Sequence, residues 1–75
     1  YLKIDGNFVR DILDDVMDRA IVESINQIAR VAGLTTIAEF VESEAILEQI
    51  RMIGVDYAQG YGIGRPGPIE SDENR

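Results

Sequence analysis

Hydrophobic and polar positions alternate at the start of the chain. In the opening YLKIDG, Leu2 and Ile4 fall on one face. Lys3 and Asp5 fall on the opposite face, and this alternation predicts a short strand that ends at Gly6. The segment NFVRDIL that follows predicts a short helical turn.

A longer helix is predicted from about Val16, with Asp14 or Asp15 as its cap and Gly33 as its stop. Its apolar residues recur at helical spacing and form one stripe, which consists of Ala20, Ile21, Ile25, Ile28, Ala29 and Ala32. Four polar residues are expected largely off this stripe: Arg19, Glu23, Asn26 and Arg30.

The second half of the chain predicts two more strands around a helix. Residues 35–42 form an apolar, strand-like run, and Ser43 is a plausible cap for an amphipathic helix that ends at Gly54. The segment VDYAQGYG is a third strand candidate, and the last dozen residues, which contain Pro66 and Pro68, predict a loop and a frayed tail.

The order strand, helix, strand, helix, strand is typical of parallel crossover units and therefore of an α/β fold. A complete eightfold barrel needs about 250 residues, or roughly 30 for each unit. The 75 residues of this chain supply about two and a half such units. We therefore expect part of a larger α/β domain.

Composition excludes several chemistries. The chain has a net charge of -7 and contains no Cys and no His, which rules out a Cys or His zinc site, a Ser-His-Asp relay, a Cys nucleophile and a disulfide framework. Carboxylates remain, and they suit Mg²⁺ or Mn²⁺. The acidic balance argues against long nucleic acid as a partner. We also expect no transmembrane segment and no signal peptide, while the absence of cysteine fits a reducing compartment.

Glu39 raises the question of chemistry, because it lies inside the apolar run of residues 35–42 and an unpaired buried charge is costly. Strand alternation places Glu39 on one face with Ile37 and Val41. The polar residues of the three strands come late in each strand, at the end where parallel α/β folds bind ligands. The residues predicted to converge there are Lys3, Asp5, Glu39 and Gln59.

Simpler interpretations remain for some of these residues. Charged residues near strand ends are commonly just solvated, and Asp5 could serve only the turn at Gly6. Glu42 gains from the amino-terminal end of the following helix dipole without any catalytic role. The spacing of Gly62, Gly64 and Gly67 matches a dinucleotide fingerprint, but Pro66 and Pro68 prevent the helix that this fingerprint requires.

Three motifs, KIDGNFV, TIAEFVE and DYAQGYGIGRP, make the chain resemble the carboxyl-terminal part of the EAL domain. The resemblance covers residues 1–68 and leaves 69–75 as a flexible tail. It implies a carboxyl-terminal fragment of a (β/α)8 TIM-type barrel, comprising its strands six to eight with the intervening helices. Many family members have glycine where this chain has Phe40. On strand parity we expect Phe40 to point toward the helical layer, as a variation in packing.

The resemblance also implies roles for individual residues. Lys3 corresponds to a catalytic lysine, and Glu39 to a glutamate that binds metal or activates water. Gln59 corresponds to the glutamine of the last strand, and Glu42 to a glutamate that steadies a loop and the dimer surface. The other implied substrate-binding or loop-anchoring residues are Asp5, Gly60 and Tyr61.

The implied activity is that of a bacterial cytoplasmic phosphodiesterase, which uses two Mg²⁺ or Mn²⁺ ions to hydrolyse cyclic di-GMP to linear pGpG. The resemblance further implies a homodimer and possible GGDEF or sensory domains upstream. Most metal ligands of the family precede the region present, so this chain alone is expected to be inactive. The alternative is an inactive EAL domain that acts as a cyclic di-GMP receptor or a protein-interaction module.

Overall fold

The computed structural model describes residues 1–60 and 67–69, which form one sheet with helices packed against it. In chain order the elements are β1 (Leu2–Ile4), α1 (Gly6–Arg10), α2 (Val16–Ala32), β2 (Thr36–Ala38), α3 (Glu44–Ile53), β3 (Tyr57–Ala58) and β4 (Gly67–Pro68). No helix in this part of the chain has the length and apolar character needed to cross a bilayer.

The sheet has the order β1-β2-β3-β4, and its first three strands are parallel. In this register Lys3 lies beside Ile37, and Ile37 lies beside Tyr57. The predicted order of strands and helices is therefore confirmed. Parallel neighbours joined through helices place the carboxyl ends of β1, β2 and β3 at one edge of the sheet.

The strand β4 corrects the prediction of a loop and tail at Pro68. β4 pairs with β3 in the antiparallel sense, with Gly67 beside Ala58, and the Ile69 N–H donates to the Asp56 carbonyl at 2.9 Å. A two-residue strand is too short to show any hydrophobic period, and proline is tolerated because β4 lies at the edge of the sheet formed by the described residues. Of the predicted tail, residues 69–75, Ile69 is described and packs against the core, while 70–75 lie outside the described part of the chain.

Local sequence signals fix the helix ends as predicted. The Asp15 carboxylate accepts from two backbone N–H groups in the first turn of α2, and Gly33 closes that helix with φ 74. The Ser43 hydroxyl accepts from the Ile46 N–H of α3, and Gly54 closes α3 with φ 100. Glycine is favoured at both ends because these φ values lie in the left-handed region.

The face of α2 that packs on the sheet differs from the predicted stripe. Asn26 is only 4% exposed, whereas Ile28, predicted to be on the stripe, is 64% exposed. The buried residues of α2 are Val22, Asn26 and Ala29, while Ala20 and Ala32 are exposed. Because α2 carries apolar residues on two faces, periodicity alone does not determine which face meets the sheet.

Asn26 is buried because it joins a polar network at the amino-terminal ends of β2 and β3. Its Nδ2 donates to the Ile53 carbonyl at 3.2 Å, and its Oδ1 lies 2.9 Å from the Thr36 hydroxyl. The Asp56 carboxylate accepts from the Thr36 N–H at 3.0 Å. The Asp56 N–H in turn donates to the Thr36 hydroxyl at 3.2 Å. These bonds tie α2, α3, β2 and β3 together.

We predict that Asn26→Ala lowers the free energy of unfolding by about 1 to 3 kcal/mol, because the Ile53 carbonyl loses its Asn26 donor and the Thr36 hydroxyl keeps only its bonds to Asp56. Chemical denaturation measures this change. The neighbouring Gln27 is exposed, so Gln27→Ala is the matched control and should change stability little. Equal unfolding midpoints for the two variants would contradict a structural role for the network.

Candidate functional site

The site begins with a turn immediately after β2. Phe40 has φ 60, and it is the one residue other than glycine with positive φ in the described part of the chain. On either side of this turn, the Glu39 N–H donates to the Ile4 carbonyl at 3.3 Å and the Val41 N–H donates to the Gln59 carbonyl at 3.0 Å. Hydrogen bonds to both neighbouring strands therefore hold a backbone conformation that bulky residues disfavour.

The turn at Phe40 interrupts the alternation that the sequence predicted for residues 35–42. Val41 is 1% exposed and joins the hydrophobic core with Ile4 and Ala38. Glu39 instead remains partly exposed at the carboxyl end of β2. The prediction that Glu39 and Val41 share a face is therefore wrong, because a left-handed residue between them breaks the two-residue period.

An open cleft of about 430 Å³ lies at the carboxyl ends of β2 and β3. Of the described residues, Glu39, Phe40, Gln59 and Gly60 line it. The structure thus brings together three of the predicted site residues from two adjacent parallel strands. A hydrogen bond aligns the ends of the two strands, since the Gln59 N–H donates to the Ala38 carbonyl at 2.9 Å.

Lys3 and Asp5 lie on and after the neighbouring strand β1, and neither is among the described residues that line the cleft. The register places Lys3 beside Ile37, two residues before Glu39, and its side chain is exposed. The Asp5 carboxylate accepts from the Asn7 N–H at 2.8 Å and caps α1. The turn role considered for Asp5 is therefore present, whatever else the residue does.

The remaining predicted residues lie beside the cleft or outside the described chain. Glu42 is exposed and directly precedes Ser43, the cap of α3. Gly60 packs so closely on Val41 that a Cβ built at Gly60 would overlap the Val41 backbone. Tyr61 lies outside the described residues, as do Gly62 and Gly64 of the glycine-rich segment.

Phe40 is the site residue whose position the sequence did not predict. Its ring lies against Gly6 of α1, and the Arg10 guanidinium of the same helix is 5.8 Å from the ring centroid. The ring therefore contacts a helix as expected, but with φ 60 it stays half exposed and lines the same cleft as Glu39. No pattern in the sequence signals that φ, because phenylalanine is not a residue that favours it.

The donors in the cleft are of the type that hard divalent cations prefer. The Glu39 carboxylate and the Gln59 amide oxygen both fit Mg²⁺ or Mn²⁺ by their chemistry. Within residues 1–60 and 67–69, however, no three or more acidic side chains gather into a group that could hold a metal ion. These residues can therefore contribute a ligand or a proton acceptor, with further ligands required from elsewhere.

A second cavity, of about 300 Å³, lies between α3 and β4. Its described lining includes Leu47, Ala58 and Ile69, and it contains none of the predicted site residues. The chemistry suggested by the sequence therefore belongs to the first cleft.

Comparison with known proteins gives consistent matches. The family model of the EAL domain matches residues 1–66. The chain is 51% identical over 71 residues to the cyclic di-GMP phosphodiesterase PdeB of Shewanella oneidensis, covering 95% of this chain and 8% of that protein. It is 47% identical over 68 residues to the cyclic di-GMP phosphodiesterase PdeF of Escherichia coli, covering 91% of this chain and 9% of that protein.

A solved structure of the PaMucR phosphodiesterase in complex with c-di-GMP superposes with a TM-score of 0.80 and 40% identity. The match covers 89% of this chain and 27% of that structure. This chain therefore spans less than a tenth of the two curated relatives and about a quarter of the solved chain.

We predict that Gly60→Ala destabilises the protein by about 1 to 3 kcal/mol, because its methyl group would overlap the Val41 backbone that cannot easily move. Thermal unfolding measures the loss. Gly67→Ala is the matched control, since no atom of the described residues lies within 4 Å of a Cβ built there. Equal melting temperatures for the two variants would show that the close approach of Gly60 to Val41 does not limit stability.

Proposed function

The chain belongs to the EAL domain family, and on that premise we propose that it is the carboxyl-terminal part of a phosphodiesterase domain that hydrolyses cyclic di-GMP to linear pGpG. The observation that carries this proposal is the cleft where Glu39 and Gln59 meet at the carboxyl ends of adjacent parallel strands. In α/β folds this edge is where ligands bind.

The proposed parent fold is a (β/α)8 barrel, of which β1, β2 and β3 are strands six to eight. Residues 1–68 form the partial domain in this proposal, and 69–75 form its tail. The exposed face of α2 supports a larger parent fold, because its apolar residues Ile28 and Val31 are 64% and 81% exposed. The open edge of β1 supports it too, since an unpaired parallel edge is normally covered or closed.

Glu39 is the central residue of the proposed mechanism. Its carboxylate either binds one cation or accepts the proton of the attacking water, and Gln59 beside it orients that carboxylate or the water. When bound, two Mg²⁺ or Mn²⁺ ions would supply a more acidic water and neutralise charge at the phosphoryl group. Lys3 extends from the adjacent strand and would offset negative charge near the nucleophile.

The proposed reaction is an in-line displacement at phosphorus. The water oxygen forms a bond to phosphorus, and the bond from phosphorus to one ribose oxygen breaks. The proton that the water loses passes to Glu39 or to solvent, and the ribose oxygen takes up a proton from solvent and leaves as a hydroxyl. One of the two phosphodiester links is thereby opened, which converts the cyclic dinucleotide to the linear one.

Three further features are part of the proposal. Glu42, Asp5, Gly60 and Tyr61 are assigned to substrate binding or to anchoring the loops around the cleft. The complete domain is proposed to form a homodimer in the bacterial cytoplasm. GGDEF or sensory domains are proposed as its neighbours.

We predict that Glu39→Gln in the complete domain reduces turnover of cyclic di-GMP by at least about 100-fold, because the amide neither accepts a proton nor offers a charged ligand. Product formation is measured by chromatography, and circular dichroism checks the fold. The matched control is Glu23→Gln, which removes only an exposed pair with Arg19. Undiminished turnover in folded Glu39→Gln would refute the assignment. Tight binding of cyclic di-GMP by an inactive wild-type domain would favour the receptor alternative.

We also predict that the isolated 75-residue chain neither binds Mg²⁺ with micromolar affinity nor hydrolyses cyclic di-GMP. The described residues of the cleft supply one carboxylate, which is too few for Mg²⁺ because this cation gives up its bound water reluctantly. Titration calorimetry with Mg²⁺ tests the first part, with the complete domain as the positive control. A micromolar site in the isolated chain would show that its own residues suffice.

A further inference from the structure

Among the described residues that line the cleft, Phe40 is the aromatic one, and packing in the core does not explain its position. Its side chain is 52% exposed, and its backbone has φ 60. A bulky residue in the left-handed region is strained, and strain of this kind concentrates at binding and catalytic sites. The ring nevertheless lines the same cleft as Glu39 and Gln59.

Two contacts from α1 fix the ring. Gly6 lies so close to it that a Cβ at Gly6 would overlap ring atoms of Phe40. The Arg10 guanidinium lies over the ring at 5.8 Å from its centroid and donates to the Asn7 side chain. The ring is therefore held in a defined orientation by α1, while about half of its surface stays accessible.

From this geometry we propose that Phe40 is a specificity-determining residue whose ring packs against a nucleobase of the ligand bound beside Glu39 and Gln59. The inference rests on the proposed function, because it assigns a contact within the same site. A fixed aromatic ring suits the flat apolar face of a base. The adjacent Arg10 adds positive charge, which an anionic ligand needs near a chain of net charge -7.

The test uses the complete domain with three variants at position 40. Phe40→Leu keeps apolar bulk and removes the ring, so KM for cyclic di-GMP should rise about 5- to 30-fold while kcat changes less than about twofold. Phe40→Tyr keeps the ring and should leave KM near its wild-type value. Phe40→Gly removes the ring but suits φ 60, so it gives the same KM result if Phe40→Leu fails to fold.

Gly6→Ala provides an independent perturbation, because its methyl group would displace the Phe40 ring. It should also raise KM, and combining it with Phe40→Leu should add little, since both act on the same contact. An unchanged KM in folded Phe40→Leu and Phe40→Gly would overturn the proposal. A loss of kcat at unchanged KM would overturn it as well, because Phe40 would then act only through the position of Glu39.

Failure of the proposed function is recognised separately, by a wild-type domain that does not hydrolyse cyclic di-GMP. In that case, calorimetric Kd values for cyclic di-GMP decide the role of Phe40. Weaker binding by Phe40→Leu, with Phe40→Tyr near wild type, would support the contact without catalysis. Equal binding by all variants, or no binding by the wild type, would overturn it.

Discussion

The left-handed turn at Phe40 is the constraint on which the cleft depends. Because of this turn, Glu39 lies at the solvent edge while Val41, two residues later, is buried in the core. Hydrogen bonds to β1 and β3 hold the turn, and the close contact of Gly60 with Val41 brings β3 against it. An extended residue at position 40 would place Val41 on the side of Glu39, where its burial would be lost.

The two ends of the parallel strands are specialised in different ways. At the amino-terminal end, Thr36 forms hydrogen bonds with both Asn26 and Asp56, and Asn26 also bonds to α3. This network connects the helices to the sheet. At the carboxyl end, Glu39 and Gln59 face an open cleft. This division is the one expected of parallel α/β folds, in which one edge of the sheet stabilises the structure and the other binds ligands.

Two features of the surface support the proposal of a larger parent domain. The outer face of α2 presents Ile28 and Val31 to solvent, and β1 has an open edge. The cleft itself offers a carboxylate and an amide where a two-cation mechanism needs several acidic ligands. Core, sheet edge and cleft are all consistent with the proposal that this chain works as part of a larger EAL domain.

The sequence by itself determined the features that depend on neighbouring residues: the order of strands and helices, the caps at Asp15 and Ser43, and the glycine stops. It also indicated Glu39 and Gln59, because a strand's carboxyl end can be located from its pattern. Tertiary structure decided which face of α2 is buried, the pairing of β4 and the orientation of Phe40. Each of these depends on partners far away in the chain, and a periodic pattern carries no information about such partners.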